Sequence, residues 1–82
     1  MSKLSKVKER LAQFPRDFTW DELVMVLSHL GYETKNGDGS RRSFIHNVTG
    51  HRICLHEPHP KNIVKQYALR LVVEALTEQG LM

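Results

Sequence analysis

Cys54 is the only cysteine in the 82 residues, so no internal disulfide can hold this fold. Such usage fits a reducing compartment better than a secretory route, and packing is the expected role of the thiol. No apolar run approaches the ~18 residues a membrane span needs. The basic N-terminus is followed by no apolar core of the kind a signal peptide carries. The chain is therefore expected in the cytoplasm, without a membrane partner. Aromatic residues make up only 7% of the chain, so Trp20, Phe44 and Tyr67 are needed for the core and are expected there. Acidic residues are in deficit, 9 against 12 lysines and arginines, and the net charge is +3 before any histidine is protonated. That excess is mild but suits a polyanionic partner. A metal-ligand spacing is missing as well. Strand alternation separates several of the candidates His51, Cys54, His56 and His59, so neither a metal nor a cofactor is expected.

What is present reads as one small domain with a modest core. Leu4, Val7 and Leu11 recur at helical spacing between Lys3 and Gln13, and Phe14-Pro15 stops that helix. Thr19-Trp20-Asp21-Glu22 is a capping box opening a second helix, with Trp20, Leu23, Val24, Leu27 and Leu30 on one face and Gly31 closing it. Three short strands follow. Tyr32 to Lys35 leads through the turn residues Asn36-Gly37-Asp38-Gly39 into a strand ending at His46. A second turn, Asn47 to Gly50, precedes His51 to His56, where Ile53 and Leu55 alternate with Arg52, Cys54 and His56. Pro58 and Pro60 end the sheet and lead directly into a last helix with Val64, Tyr67, Ala68, Leu71, Val72, Ala75 and Leu76 as its apolar stripe and Gly80 as its stop. The order α-α-β-β-β-α predicts a two-layer α+β domain, with helices on one sheet face and the other face open.

The chemistry concentrates in Gly37-Asp38-Gly39-Ser40-Arg41-Arg42-Ser43-Phe44-Ile45-His46 and in His51-Arg52-Ile53-Cys54-Leu55-His56-Glu57-Pro58-His59-Pro60. Guanidinium, hydroxyl and imidazole groups on neighbouring strands suit the spacing of a phosphodiester chain, which points to RNA. By alternation Arg41, Ser43 and Ile45 share one face, and Arg42, Phe44 and His46 the other. If Phe44 packs inward, Arg41 and Ser43 are the exposed pair. Lys61, Lys65 and Arg70 either line a backbone-binding groove or are simply solvated.

From Thr19 to Leu81 the helix ending in Leu-Gly-Tyr, the Gly-Asp-Gly-Ser-Arg-Arg-Ser-Phe segment, the His46 to Arg52 turn, the His56-Glu57-Pro58-His59-Pro60 stop and the closing helix resemble the HicA-type mRNA interferase toxins. The resemblance implies a fold like the double-stranded RNA-binding domain over residues 19–82, with residues 1–18 as an N-terminal helical extension. It also implies a toxin of a toxin-antitoxin pair that cleaves messenger RNA without a metal and is held inactive by a HicB-type antitoxin. The family's usual Gly-Ser-His corresponds here to Gly39, Ser40 and Arg41, so its catalytic histidine is replaced. The chain is then an inactivated variant, a branch that uses Arg41, or an enzyme in which His59 or His56 moves the proton. Arg41, His59 and His56 are the candidate catalytic residues, and Gly39, Ser40, Arg42, Ser43, Lys61 and Lys65 the candidate RNA contacts. The alternative is a non-catalytic module of the same fold that binds RNA or an antitoxin.

Overall fold

The computed structural model describes residues 3–58 and 61–82, with side chains described from residue 6 onward. Helix α1 spans Lys3–Ala12 and α2 Trp20–His29; strands β1 (Tyr32–Asn36), β2 (Arg41–His46) and β3 (Arg52–His56) follow, and α3 (Gln66–Glu78) closes the chain. The strands form an antiparallel sheet in the order β1-β2-β3. From α2 onward the order is α-β-β-β-α, as the pattern predicts, and it is the order of a double-stranded RNA-binding domain, as the resemblance implies. Among the described residues no helix is long and apolar enough to cross a membrane.

Local chemistry accounts for most boundaries. The Thr19 hydroxyl accepts from the Glu22 amide at 3.1 Å, and the Glu22 carboxylate accepts from the Thr19 amide at 3.1 Å, so the capping box is complete. Gly31 closes α2 at φ +98°, where a Cβ would also lie 3.0 Å from His46 Nε2. Only glycine meets both demands. Helix α1 ends less usually, with Phe14 at φ 52°, a left-handed conformation that costs a non-glycine residue about 1–2 kcal/mol. Contacts from α3 hold it there: Gln66 Nε2 donates to the Phe14 carbonyl at 2.7 Å, and the Arg70 guanidinium lies 4.9 Å from the Phe14 ring centre.

One core draws on every element, including Val7 and Leu11 of α1, Phe18, Trp20, Leu23, Val26 and Leu27 around α2, Tyr32, Phe44, Ile53 and Leu55 of the sheet, and Val64, Leu69, Val72 and Leu76 at the C-terminal end. Helix α1 is therefore packed into the domain. Arg10 ties it to α2 by pairing with Glu22 and, at 2.8 Å, with Asp17, while its guanidinium lies over Phe18.

The last helix buries Val72 and Leu76 as expected and departs from the expected stripe at Tyr67, Leu71 and Leu69. Tyr67 is 70% exposed and Leu71 47%, whereas the buried stripe is Leu69, Val72 and Leu76. Pro58 does not lead straight into α3 either. Residues 61–65 first run extended against the start of α2, where Trp20 donates its amide to the Asn62 carbonyl at 3.0 Å and Val64 donates to the Phe18 carbonyl at 2.8 Å. That pairing sets the angle at which α3 begins, and it turns Leu69 inward and Tyr67 outward.

Candidate nucleic-acid interface

Register alone assigns the open face. Phe44 pairs with Thr34 and Ile53 and is fully buried, so its alternation partners lie beneath the helices. The odd positions of β2 face outward, Arg41 opposite His56, Ser43 opposite Cys54 and Lys35, and Ile45 opposite Arg52 and Glu33. Three permanent cations, Lys35, Arg41 and Arg52, therefore share this face with a single carboxylate, Glu33. The sequence reading found Arg41 and Ser43 here as the exposed pair. It passed over Lys35 and Arg52, which the same alternation would have found.

The chemically richest corner lies where β2 begins and β3 ends. The Glu57 amide donates to the Ser40 carbonyl at 2.8 Å, which makes Ser40 and Glu57 a hydrogen-bonded pair and Arg41 and His56 the adjacent non-hydrogen-bonded pair. Facing side chains approach more closely in pairs of that second kind. His56 Nδ1 lies 3.2 Å from the Ser40 hydroxyl, so Ser40 orients the imidazole. The aliphatic stem of Arg41 lies over Gly37, 3.1 Å from where a Cβ would sit there. Arg41 forms no ion pair with a carboxylate among the described residues. Gly39, in the turn just before, has open space around its α-carbon, so a ligand backbone can approach closely.

Arg42 behaves differently. Its Nε donates to Glu57 at 3.2 Å, and its Nη1 donates to the carbonyls of Gly39 and Arg41 at 2.8 Å each. It braces the turn from the helix side of the sheet. Ser43 remains on the open face, its hydroxyl 3.7 Å from Cys54 Sγ. His59 lies outside the described residues. Arg70 lies over the Phe14 ring and does not line the cleft beside His56.

Beyond His56 the surface folds into a cleft of about 170 Å³ between the end of β3 and the first turn of α3, lined by His56, Glu57, Pro58, Val64, Lys65, Tyr67 and Ala68. Lys65 thus stands at the cleft, and Lys61 is exposed shortly before it.

The other described histidines serve different ends. His46 Nδ1 accepts from the Val48 and Thr49 amides at 3.1 and 3.2 Å and shapes the second turn. His51 Nδ1 lies 2.7 Å from the Tyr32 hydroxyl, and burial raises the pKa of that phenol above its ordinary value. Among the described residues no three His, Cys, Asp or Glu side chains group as metal ligands do.

Searches among curated proteins and among solved structures return no match. One family model does match, described as "HicA toxin of bacterial toxin-antitoxin", over residues 20–79. That span takes in α2, the whole sheet, the Ser40–Arg41–His56 corner and α3, and leaves α1 outside. Matched over most of its length, the chain belongs to the HicA toxin family, the toxin half of a bacterial toxin-antitoxin pair whose partner is an antitoxin.

Proposed function

We propose that this toxin is an mRNA interferase, a cytoplasmic endonuclease that cuts messenger RNA without a metal until a HicB-type antitoxin blocks it. The observation that carries the reading is the Ser40–Arg41–His56 corner, a guanidinium and a hydroxyl-oriented imidazole on paired positions at the rim of a bare, cationic sheet face. Metal-free cleavage of RNA has three requirements. The 2′-hydroxyl must lose its proton as it attacks the adjacent phosphorus, charge growing on the phosphoryl oxygens must be stabilised, and the departing 5′-oxygen must gain a proton.

Guanidinium suits only the second task, because arginine stays protonated near neutrality and accepts no proton. Arg41 therefore binds the scissile phosphate and stabilises its developing charge. His56, with Nδ1 occupied by the Ser40 hydroxyl, uses Nε2 to take or deliver the proton. His59, three residues further along, is the second candidate for the opposite transfer. Lys35 and Arg52 extend the cationic track for neighbouring phosphates, and Ser43 and the open turn at Gly39 add hydrogen-bonding room. Lys61 and Lys65 carry the strand onward past His56.

Purified protein, a long transcript and excess EDTA test the reading. Fragments that disappear in His56→Ala or His59→Ala and in Arg41→Ala support it. One observation favours a second reading: Arg41 stands where the family's histidine is expected, so the domain binds RNA or antitoxin and cuts nothing. In that case the transcript shifts on a gel without shortening, and Arg41→His produces cleavage that the natural chain lacks.

A further inference from the structure

Tyr67 is one of three large apolar side chains with high exposure among the described residues, and it forms a wall of the cleft that begins at His56. We infer that this cleft is a nucleobase site, in which one unstacked base of a single-stranded RNA stacks on the Tyr67 ring while a neighbouring phosphate lies at Arg41. The inference rests on the nuclease reading and extends it to how the strand is held and which base is favoured.

Size, lining and charge agree on this occupant. At about 170 Å³ the cleft is smaller than the roughly 300–1,000 Å³ pockets that enclose whole drug-sized ligands, and it suits a single planar ring. Its floor is apolar, made by Val64, Ala68 and Pro58, and Leu71 continues the exposed apolar surface one turn beyond Tyr67. Its rim is cationic through Lys65, with Lys61 exposed nearby. An aromatic face beside lysines is the arrangement by which single strands are held, base on ring and phosphate on cation. His56 belongs to both the cleft and the Arg41 pair, so base site and phosphate site are contiguous.

Glu57 provides the selectivity. Glu57 lines the cleft, and its carboxylate accepts from Arg42 Nε at 3.2 Å, which fixes one oxygen and leaves the other for a ligand. A carboxylate only accepts hydrogen bonds, so it pairs with an exocyclic amine such as that of cytosine. Uracil presents its one N–H between two carbonyl oxygens, which repel the carboxylate. The site therefore prefers cytosine to uracil.

Labelled 2′-O-methyl hexamers of C and of U lack the attacking hydroxyl, so fluorescence anisotropy with the full chain reads binding without cleavage. Tyr67→Ala should weaken binding of the C hexamer about 5- to 100-fold, the size of one base–aromatic stack, and Tyr67→Phe should preserve it. Glu57→Gln should narrow the preference for C over U. Unchanged affinity in Tyr67→Ala, or an equal loss in Tyr67→Phe, overturns the inference. So does a Tyr67→Ala protein that keeps its RNA affinity but no longer co-purifies with its co-expressed antitoxin, because the cleft is then a protein-docking surface. If the unmodified chain binds hexamers through Tyr67 yet leaves a long transcript intact, the nuclease reading fails and the base site stands. Should it cut the transcript with Tyr67→Ala equally competent in binding and cutting, the base site fails alone. A chain that binds neither hexamer overturns the base site, and one that also leaves the transcript intact overturns both.

Discussion

Replacing Leu11 by alanine tests whether α1 is an appendage or a structural part of the toxin. Leu11 is fully buried in the core shared with α2 and α3, so truncation removes three carbons and leaves a cavity that the packed surroundings only partly fill. Such changes cost about 2–5 kcal/mol, and about 3 is expected here. A chain of this length has a total stability of roughly 4–12 kcal/mol, so one side chain carries a large share. Its unfolding entropy, about 2.1 cal/mol/K per residue or roughly 170 cal/mol/K in all, converts 3 kcal/mol into a fall in Tm of about 17 °C. The effect should extend to the cleft. Phe14 ends α1 and holds Gln66 at the first position of α3, beside Tyr67. Thermal and urea unfolding followed by circular dichroism measure the loss, with the exposed Lys6→Ala as control. A loss below about 1 kcal/mol in Leu11→Ala would fall short of any well-packed leucine and refute the claim that α1 belongs to the domain, leaving residues 19–82 as a free-standing unit.

Three further outcomes are expected. Substituting His56 by alanine should slow transcript cleavage about 10²- to 10⁴-fold, the usual contribution of a positioned acid or base; Ser40→Ala should have a smaller effect that falls on the rate and leaves RNA affinity alone. Burial holds the Tyr32 pKa above its ordinary value of 10.0, so its contribution to stability is fully present below pH 10 and is lost as pH rises through the higher folded value. The difference between urea midpoints of the natural chain and Tyr32→Phe should therefore be flat from pH 7 to 9 and change above 10; a difference that varies between pH 7 and 9 would contradict it. Gly31→Ala should destabilise by about 1–3 kcal/mol, because it forces a side chain into φ +98° and against His46; an unchanged urea midpoint would show that the α2–β1 junction relaxes freely.

Where residues declare themselves through nearest neighbours, the chain is legible. The capping box at Thr19 and Glu22 marks the start of α2, and Ile53 and Leu55 alternating with Arg52, Cys54 and His56 define a strand and its two faces. The open-face position of Arg41 and Ser43 follows from one inward residue, Phe44. Helix α3 is where such reasoning fails. Tyr67 and Leu71 adjoin the stripe of Val72 and Leu76 as closely as Leu69 does, and helical spacing alone cannot choose which of them is buried with it. The function of Arg42 was hidden for a related reason: its partner Glu57 lies fifteen residues away, and only the β2–β3 register brings the two together.

Short-range pattern thus determined the elements, the order of the strands and the face on which Arg41 stands, because turn chemistry and side-chain alternation act within a few residues and need no distant partner. Tertiary structure decided which side of α3 is buried, that α1 shares the core, and that Ser40, Arg41, His56 and Tyr67 gather around one corner. Those outcomes depend on the pairing of residues 61–65 with the start of α2 and on the docking of α1 against α2 and α3. Such contacts join parts of the chain far apart in sequence, and their geometry exists only once the whole core has closed.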